Sequence, residues 1–402
     1  MKYFSNTSIN IDRLTLGIIG ASYLQRPLVE KAKELGLRTI CFAWTEGAVC
    51  KDICDVFYPI SVVEKEKILR ICQQEKIDGI CKIASDVAAP TVAYVANHMG
   101  LVGNSYIAAV RATNKYAMLQ TFMTAGVSCP RYRYIRECDK ENIQSLISDI
   151  QTSMSLPLIV KPTDRSGSLA VTKITEWTQL SSALALALDT SFLHEAIIEE
   201  FVDGREISVE FISYKGKHYP LQITDKVTTN APHFVELEHH QPADFPAVMY
   251  ERIYTITERA LNALEVTNGA SHSEYKITDD GRIVIMELGA RMGGDFIGSD
   301  LVQLSTGYDF VRGVIDVALG DFCEKSLVFN RSLSEAKHCG IYFLCKETEY
   351  LMPIFEHWQD YAEIVACERT NEELKNVTCS GDRSGYFIYQ ESDDFVLRKC
   401  AK

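Results

Sequence analysis

Positive charge is scarce in this chain. Its 402 residues carry 41 Lys and Arg against 54 Asp and Glu, a net charge of −13 at pH 7. That excludes a general nucleic-acid binder, which needs a basic footprint to displace counterions. Also missing is any apolar run near the roughly 18 residues of a membrane-spanning helix, and the opening MKYFSNTSINIDR has no apolar stretch before a cleavage site. A soluble, cytoplasmic protein with no membrane partner is expected. The 13 cysteines include no CxxC pair, and Cys41, Cys81 and Cys345 sit in apolar, strand-like runs. They read as reduced core thiols. Cys50 and Cys54, the nearest approach to a metal pair, have no partner cluster. The loop at 17–22, GIIGAS, lacks the full GxGxxG fingerprint, and GxxxxGK[ST] is absent. A bound nucleotide would therefore be held another way. There are no repeats and no low-complexity tracts.

What is present describes an ordinary globular protein, 47% hydrophobic and 24% charged, long enough for two or three domains. A buried strand at Leu14 to Ile19 leads through Gly20-Ala21-Ser22 into an amphipathic helix carrying Leu28, Ala32 and Leu35. The helix stops at Gly36, and a second strand follows at Arg38 to Ala43. This βαβ unit requires a parallel sheet. The alternation continues through a helix at 65–74, a strand at 79–83 and a helix at 88–98, which makes the first hundred or so residues an open α/β domain. From Thr113 the reading changes to α+β. A helix at 115–125 precedes strands at 158–161, 196–201, 206–213 and 219–223, a helix at 248–264 and a final strand pair. Short strands at 339–344 and 386–390 surround a helix near Leu351.

The segment 269–291, GASHSEYKITDDGRIVIMELGAR, sets two alternating runs around Asp280-Gly281, a strong hairpin signal. With those two residues as the loop, Asp279 pairs with Arg282 and, counting back, Glu274 faces Glu287. Opposed carboxylates about 5 Å apart on one face repel unless something positive lies between them. Mg²⁺ suits the place, because it takes one or two carboxylates and completes its shell with phosphate and water. His272 and Lys276 share the face of Glu274. An exposed polar face would read the same way. The sequel, Arg291-Met292-Gly293-Gly294, adds a guanidinium and small residues able to meet an anion, and favours a phosphate-plus-metal site.

Lys161 ends the apolar strand Leu158-Ile159-Val160, and Pro162 stops it. The residues that follow, Thr163 to Ser168, form a small-residue loop whose N–H groups and hydroxyls suit phosphates. Farther on, AIIEEFVDGRE at 196–206 reads as a strand, an acidic bend and a returning strand, a hinge able to offer main-chain groups to an adenine edge.

In this order and spacing the chain resembles the ATP-grasp superfamily of carboxylate–amine ligases over nearly its whole length. The resemblance rests on Lys115 in TNKYAMLQ, Lys161 in LIVKP, the SGS loop, the hinge EEFVDGRE, and Glu274 with Glu287-x-x-x-Arg291. It implies an α/β N-terminal pre-ATP-grasp domain (1–112), followed by α+β ATP-grasp lobes, small (113–195) and large with the metal site (196–330), and a small C-terminal α+β subdomain (331–402). Lys115 and Lys161 would contact phosphates under a mobile loop containing Ser166, Gly167 and Ser168. Glu199 and Val202 would hold the adenine edge, and Glu206 the ribose. Glu274 and Glu287 would bind Mg²⁺, with Mn²⁺ the alternative, and Arg291 would act with Lys161 in catalysis. Many members read Glu-x-Asn after the second strand, the asparagine being a further metal ligand. Here Gly289 stands in its place.

Within the superfamily, HFVELEHH at 233–240 looks similar to the substrate loop of L-amino-acid ligases, which join two amino acids. Glu236 and His239, with Arg291, Gly293 and Gly294, would then border the substrate. Read without the resemblance, a Glu and a His in a polar loop are simply solvated. The implied chemistry uses ATP, a small-molecule carboxylate and an amine, passes through an acyl phosphate and ends in an amide or peptide bond. Alternatives are a purine-biosynthesis ligase resembling phosphoribosylglycinamide synthetase, and a non-catalytic ATP-binding protein. The exposed sheet edge of the first domain leaves room for a homodimer.

Overall fold

Strands that are apolar on both faces need cover on both sides, and the first four strands have it. A computed structural model describes residues 13–391, apart from 166, 168, 230, 232 and 328–335. In it β1 (Thr15–Ile19), β2 (Arg38–Ala43), β3 (Val56–Pro59) and β4 (Gly79–Cys81) form a parallel sheet in the order β3-β2-β1-β4. One face packs Ile19, Ile40 and Phe42 against Ile68 and Val95 of the helices Lys65–Glu75 and Ala89–Met99. The other packs Leu16, Ile18 and Cys41 against Leu28 and Ala32 of the helix Arg26–Glu34, and against Val314 and Ile315 of the distant helix Phe310–Leu319. β4 approaches that distant helix closely because Gly79 has no side chain: a Cβ there would lie 2.8 Å from Ala318 O. The first domain thus shares its core with the rest of the chain. Cys41, Cys81 and Cys345 are buried free thiols.

The second sheet is antiparallel, in the order β5-β8-β6-β7, with β5 at Tyr132–Arg136, β6 at Leu158–Pro162, β7 at Thr172–Ile174 and β8 at Glu195–Glu200. Leu158, Val160, Ala196 and Ile198 pack on Ile150, Leu180 and Leu184 of the covering helices. β8 therefore lies inside the small lobe, and a boundary at 195 falls one strand early.

The third sheet has eight strands in the order β13-β12-β9-β10-β11-β14-β16-β15. These are β9 (Arg205–Tyr214), β10 (Lys217–Thr228), β11 (Glu236–Gln241), β12 (Gly269–Ile277), β13 (Ile283–Gly289), β14 (Cys339–Leu344), β15 (Ile364–Arg369) and β16 (Gly385–Gln390). Alternation along β9 serves two cores. Ile207, Val209 and Phe211 meet Ile253 and Leu261 of the helix Ala247–Ala263, whereas Ile212 meets the core shared with the first domain. The helix Lys115–Thr124, assigned above to the small lobe, buries Met118, Leu119 and Phe122 in the large-lobe core. After residue 330 the strands join the large sheet beyond β11 instead of forming a sheet of their own. Among the described residues no helix is long and apolar enough to cross a membrane.

The hairpin reaches the expected pairing by a different route. The turn is not the two-residue Asp280-Gly281 loop. Gly281 N–H donates to Thr278 O (2.8 Å), Thr278 N–H donates to Arg282 O (3.0 Å), and the ladder resumes at Ile277 opposite Ile283, one residue out of the expected register. A bulge between Tyr275 and Glu274 on the partner side at Met286 restores that residue, so Glu274 does face Glu287. The bend before β9 depends on a second backbone feature. Gly204 has φ +148°, and a Cβ there would lie 2.3 Å from Ile277 O. Gly204→Ala is expected to destabilise the protein by about 2–3 kcal/mol through clash and strain, read as a lower denaturation midpoint.

Candidate active site

All three sheets contribute to one cavity of about 480 Å³. Each places residues there by ordinary local rules. Asn114 caps the helix Lys115–Thr124 by accepting from Ala117 N, which sets Lys115 at the first helical position. From there the Lys115 ammonium donates to Arg165 O (2.7 Å) and to Glu287 Oε1 (3.1 Å), while its backbone N–H donates to Thr163 O. Burial opposes the charge on Lys115, but Glu287, with Asp86 and Glu199, outweighs it and holds the ammonium above its ordinary pKa. Lys161, at the end of β6, lies 2.8 Å from Glu199 of the adjacent β8. That contact is an ion pair outside hydrogen-bonding angles, so both buried oxygens of Glu199 keep acceptor capacity.

On the large sheet a third lysine organises the carboxylates. Lys226 of β10 is buried, with its ammonium 2.7 Å from Glu274, 3.2 Å from Glu206 and 3.7 Å from Glu236. Burial acts against this charge, yet Glu274, Glu206 and Glu236 together raise it well above the usual lysine value. Glu274 responds in the opposite sense: burial would raise its pKa, but Lys226 and the neighbouring His272 hold it well below the usual carboxylate range. His272 donates to Glu210 from Nδ1 and to Glu274 from Nε2, and Lys276 holds Glu206 at 2.9 Å. For Glu236 burial outweighs the more distant Lys226, and its pKa is raised.

Of the residues singled out from sequence, Lys115, Lys161, Gly167, Glu199, Val202, Glu206, Glu236, His239, Glu274, Glu287, Arg291 and Gly294 line the cavity. Ser166 and Ser168 lie outside the described residues. Gly293 does not line it: its N–H donates to Glu210 Oε2 (2.9 Å), beneath the floor, and is not available to an anion. Of the expected loop at 233–240, residues 236–240 belong to strand β11, and His239 on it is buried with no hydrogen-bond partner on either ring nitrogen among the described residues. Burial pushes the His239 pKa down to about 3, so the ring is neutral at physiological pH.

Sequence reading missed Lys226, whose strand gives no local sign of the three acids it meets. It also missed the first domain's contribution. Asp86, after β4, accepts from Arg291 Nε (3.0 Å) and Nη2 (2.9 Å). The signal for it was the position just beyond the carboxyl end of a parallel strand, where α/β sheets place ligand residues.

Glu274 and Glu287 offer two opposed, partly exposed carboxylates, each now paired to a lysine. Among the described residues no group of three or more His, Cys, Asp or Glu side chains could hold a metal alone. Two carboxylates beside a phosphate-sized space fit Mg²⁺, which takes the rest of its shell from phosphate and water.

Residues 154–300 match the ATP-grasp domain family. Among solved structures, the chain is similar to an L-amino acid ligase from Bacillus licheniformis, with TM-score 0.76, 20% identity, and coverage of 96% of this chain and 95% of that one. It is similar also to a phosphoribosylglycinamide synthetase from Anaerococcus prevotii, with TM-score 0.73, 21% identity, and coverage of 97% and 96%. Among curated proteins, an alanine–anticapsin ligase of Bacillus subtilis (strain 168) is 26% identical over 295 residues, 63% of this chain and 61% of that protein. The chain spans about half to three-fifths of the length of the first curated relatives it matches.

Proposed function

We propose that this chain, which carries an ATP-grasp domain within an ATP-grasp fold, is an ATP- and Mg²⁺-dependent carboxylate–amine ligase that forms an amide or peptide bond on an amino acid or small carboxylate. The observation that carries this reading is the cavity itself, where Lys115 and Lys161 stand beside the opposed pair Glu274 and Glu287, with Arg291 at the far end of the same hairpin. Glu199 and Val202 are suited to the adenine edge, since both buried oxygens of Glu199, ion-paired to Lys161, lack a hydrogen-bond donor among the described residues. Glu206, steadied by Lys276, is suited to the ribose. A divalent ion, Mg²⁺ or Mn²⁺, between Glu274 and Glu287 supplies charge neutralisation to the phosphate oxygens when bound.

A substrate carboxylate then attacks the γ-phosphorus, giving an acyl phosphate and ADP. An amine attacks the acyl carbon and phosphate leaves, the nitrogen losing a proton. No protein nucleophile is needed. Lys115, Lys161 and Arg291 hold the anions together and stabilise the charge that builds as the phosphoryl moves. A local set of cations thus serves an anionic cofactor on a chain of net charge −13. Glu236 and His239 face the remaining space, where a partly buried carboxylate and a neutral imidazole suit a substrate ammonium or amine.

The purine-pathway reading needs a basic pocket for a substrate phosphate, and the first domain's side of the cavity does not favour it. Tyr23, Leu24, Ala84, Ser85 and Asp86 form that wall. Lys82 is buried and donates to Ala290 O, while Arg26 pairs with Glu30 on the surface. The test is release of ADP and phosphate from Mg-ATP across a panel of amino-acid pairs and purine-pathway intermediates, with mass detection. Stimulation by amino acids with a new amide mass is expected. Binding of ATP without turnover on any pair would overturn the amino-acid ligase reading in favour of another substrate or a non-catalytic role.

A further inference from the structure

We propose that Lys82 and Asp86, at the carboxyl end of β4, are positioning residues for Arg291, and that residue 289 is glycine because the Asp86 carboxylate fills its side-chain space. The inference rests on the reading of Arg291 as the group that meets the transferring phosphoryl. Three contacts define the clamp. Asp86 accepts from both Nε and Nη2 of Arg291, at 2.9 to 3.1 Å, in a side-on bidentate pair. Lys82 is buried and donates to Ala290 O at 2.9 Å. A Cβ on Gly289 would come within 2.4 Å of Asp86 Oδ1 and 3.2 Å of Arg291 Nε. The first domain therefore grips three consecutive residues, 289 to 291, by side-chain space, main-chain carbonyl and guanidinium in turn.

The donor count shows what the clamp does to the arginine. A guanidinium has five N–H donors in a rigid plane. Asp86 takes one on Nε and one on Nη2, and Met292 O takes one on Nη1 at 3.2 Å. One N–H on each terminal nitrogen remains, a fork matched to two oxygens of a phosphoryl group. Because Asp86 and Arg291 are both largely buried, neither swings freely, and the plane of that fork is fixed by a residue of another domain. A side chain at 289 would push Asp86 aside and turn the fork. Where other ATP-grasp proteins spend position 289 on a metal ligand, this chain spends it on aiming a cation.

The test compares binding of Mg-ADP alone with binding of Mg-ADP plus aluminium fluoride, a mimic of the phosphoryl in flight, by calorimetry. It uses the full chain and the variants Asp86→Asn, Gly289→Ala, their combination, and Arg291→Lys, with melting temperatures recorded alongside. Wild-type protein is expected to bind the fluoride complex at least tenfold more tightly than Mg-ADP. Asp86→Asn and Gly289→Ala should each lose most of that gain while keeping Mg-ADP affinity within twofold, and the combination should lose no more than Asp86→Asn alone. Retention of the full gain by Asp86→Asn, or a loss of Mg-ADP affinity and melting temperature in step with the gain, would overturn the positioning role. Absence of Mg-ADP binding by wild-type protein, or an undiminished gain in Arg291→Lys, would instead overturn the underlying reading of the site.

Discussion

Glutamine in place of Glu287 is expected to lower ADP formation by roughly 10³-fold or more while leaving the protein folded. The substitution keeps size and shape and removes one negative charge. Glu287 is a quarter exposed in the cavity, opposite Glu274, and its only ion pair among the described residues is with Lys115. Losing that partner leaves Lys115 its bond to Arg165 O and the field of nearby Asp86 and Glu199, so the stability cost is small beside the catalytic one. The amide can still accept from Lys115 but offers a divalent ion no charge, and the pair proposed to hold Mg²⁺ then keeps one carboxylate in place of two. Initial-rate assays of ADP release with saturating Mg-ATP measure the effect. Near-normal rates in the variant would sink the assignment of this pair to the metal.

How much of this was legible in the sequence depends on how local each determinant is. β2 and β14 begin and end where the apolar runs do, at Arg38 and Ala43 and at Cys339 and Leu344, because continuous apolar runs bounded by turn residues leave little freedom in placing a strand. The pairing of Glu274 with Glu287 was legible for an imperfect reason, since the longer turn and the bulge at Met286 shift the register by one residue in opposite senses. The lobe boundaries were less accessible. β8 and the helix Lys115–Thr124 look alike in sequence whichever lobe they join, and only the partners of Ile198 and Phe122 decide it. Lys226 and Asp86 were not legible as site residues, because each acquires its meaning from acids and cations supplied by other strands and another domain. Gly289 read as a missing ligand, and the close approach of Asp86 supplies the physical reason for its lack of a side chain.

Lys226→Met is expected to destabilise the protein by about 2–4 kcal/mol near neutral pH, and to do so less as pH falls. Breaking one side of a fully buried ion pair costs roughly 3–5 kcal/mol. The lower range applies here because Glu206 and Glu274 remain 20% and 31% exposed and water partly screens them. The sign follows from the direction of each shift. In the wild type, Glu274 is held below its ordinary pKa with Lys226 as the main attractive partner, so this pair stabilises the fold above the unfolded carboxylate value and the contribution is lost as pH falls through the lowered one. Without the ammonium, Glu206, Glu236 and Glu274 face one another with Lys276 and His272 in contact and Arg291 and Arg383 farther off. The folded pKa of Glu274 then rises and that of Glu236 rises further, and the variant is penalised most where the carboxylates are ionised. The penalty should shrink as pH falls through those raised values, and further below about pH 4.5, where the wild type itself begins to lose the Lys226–Glu274 contribution. Two further comparisons separate this account from loss of packing. Adding Glu236→Gln should return part of the stability, because Glu236 is the carboxylate whose pKa burial already raises. Mg²⁺ should raise the melting temperature of Lys226→Met more than that of the wild type, since an ion at Glu274 no longer has to displace a resident ammonium. A stability loss equal at pH 4 and pH 7.5, with no response to Mg²⁺, would show instead that Lys226 acts through its aliphatic stem.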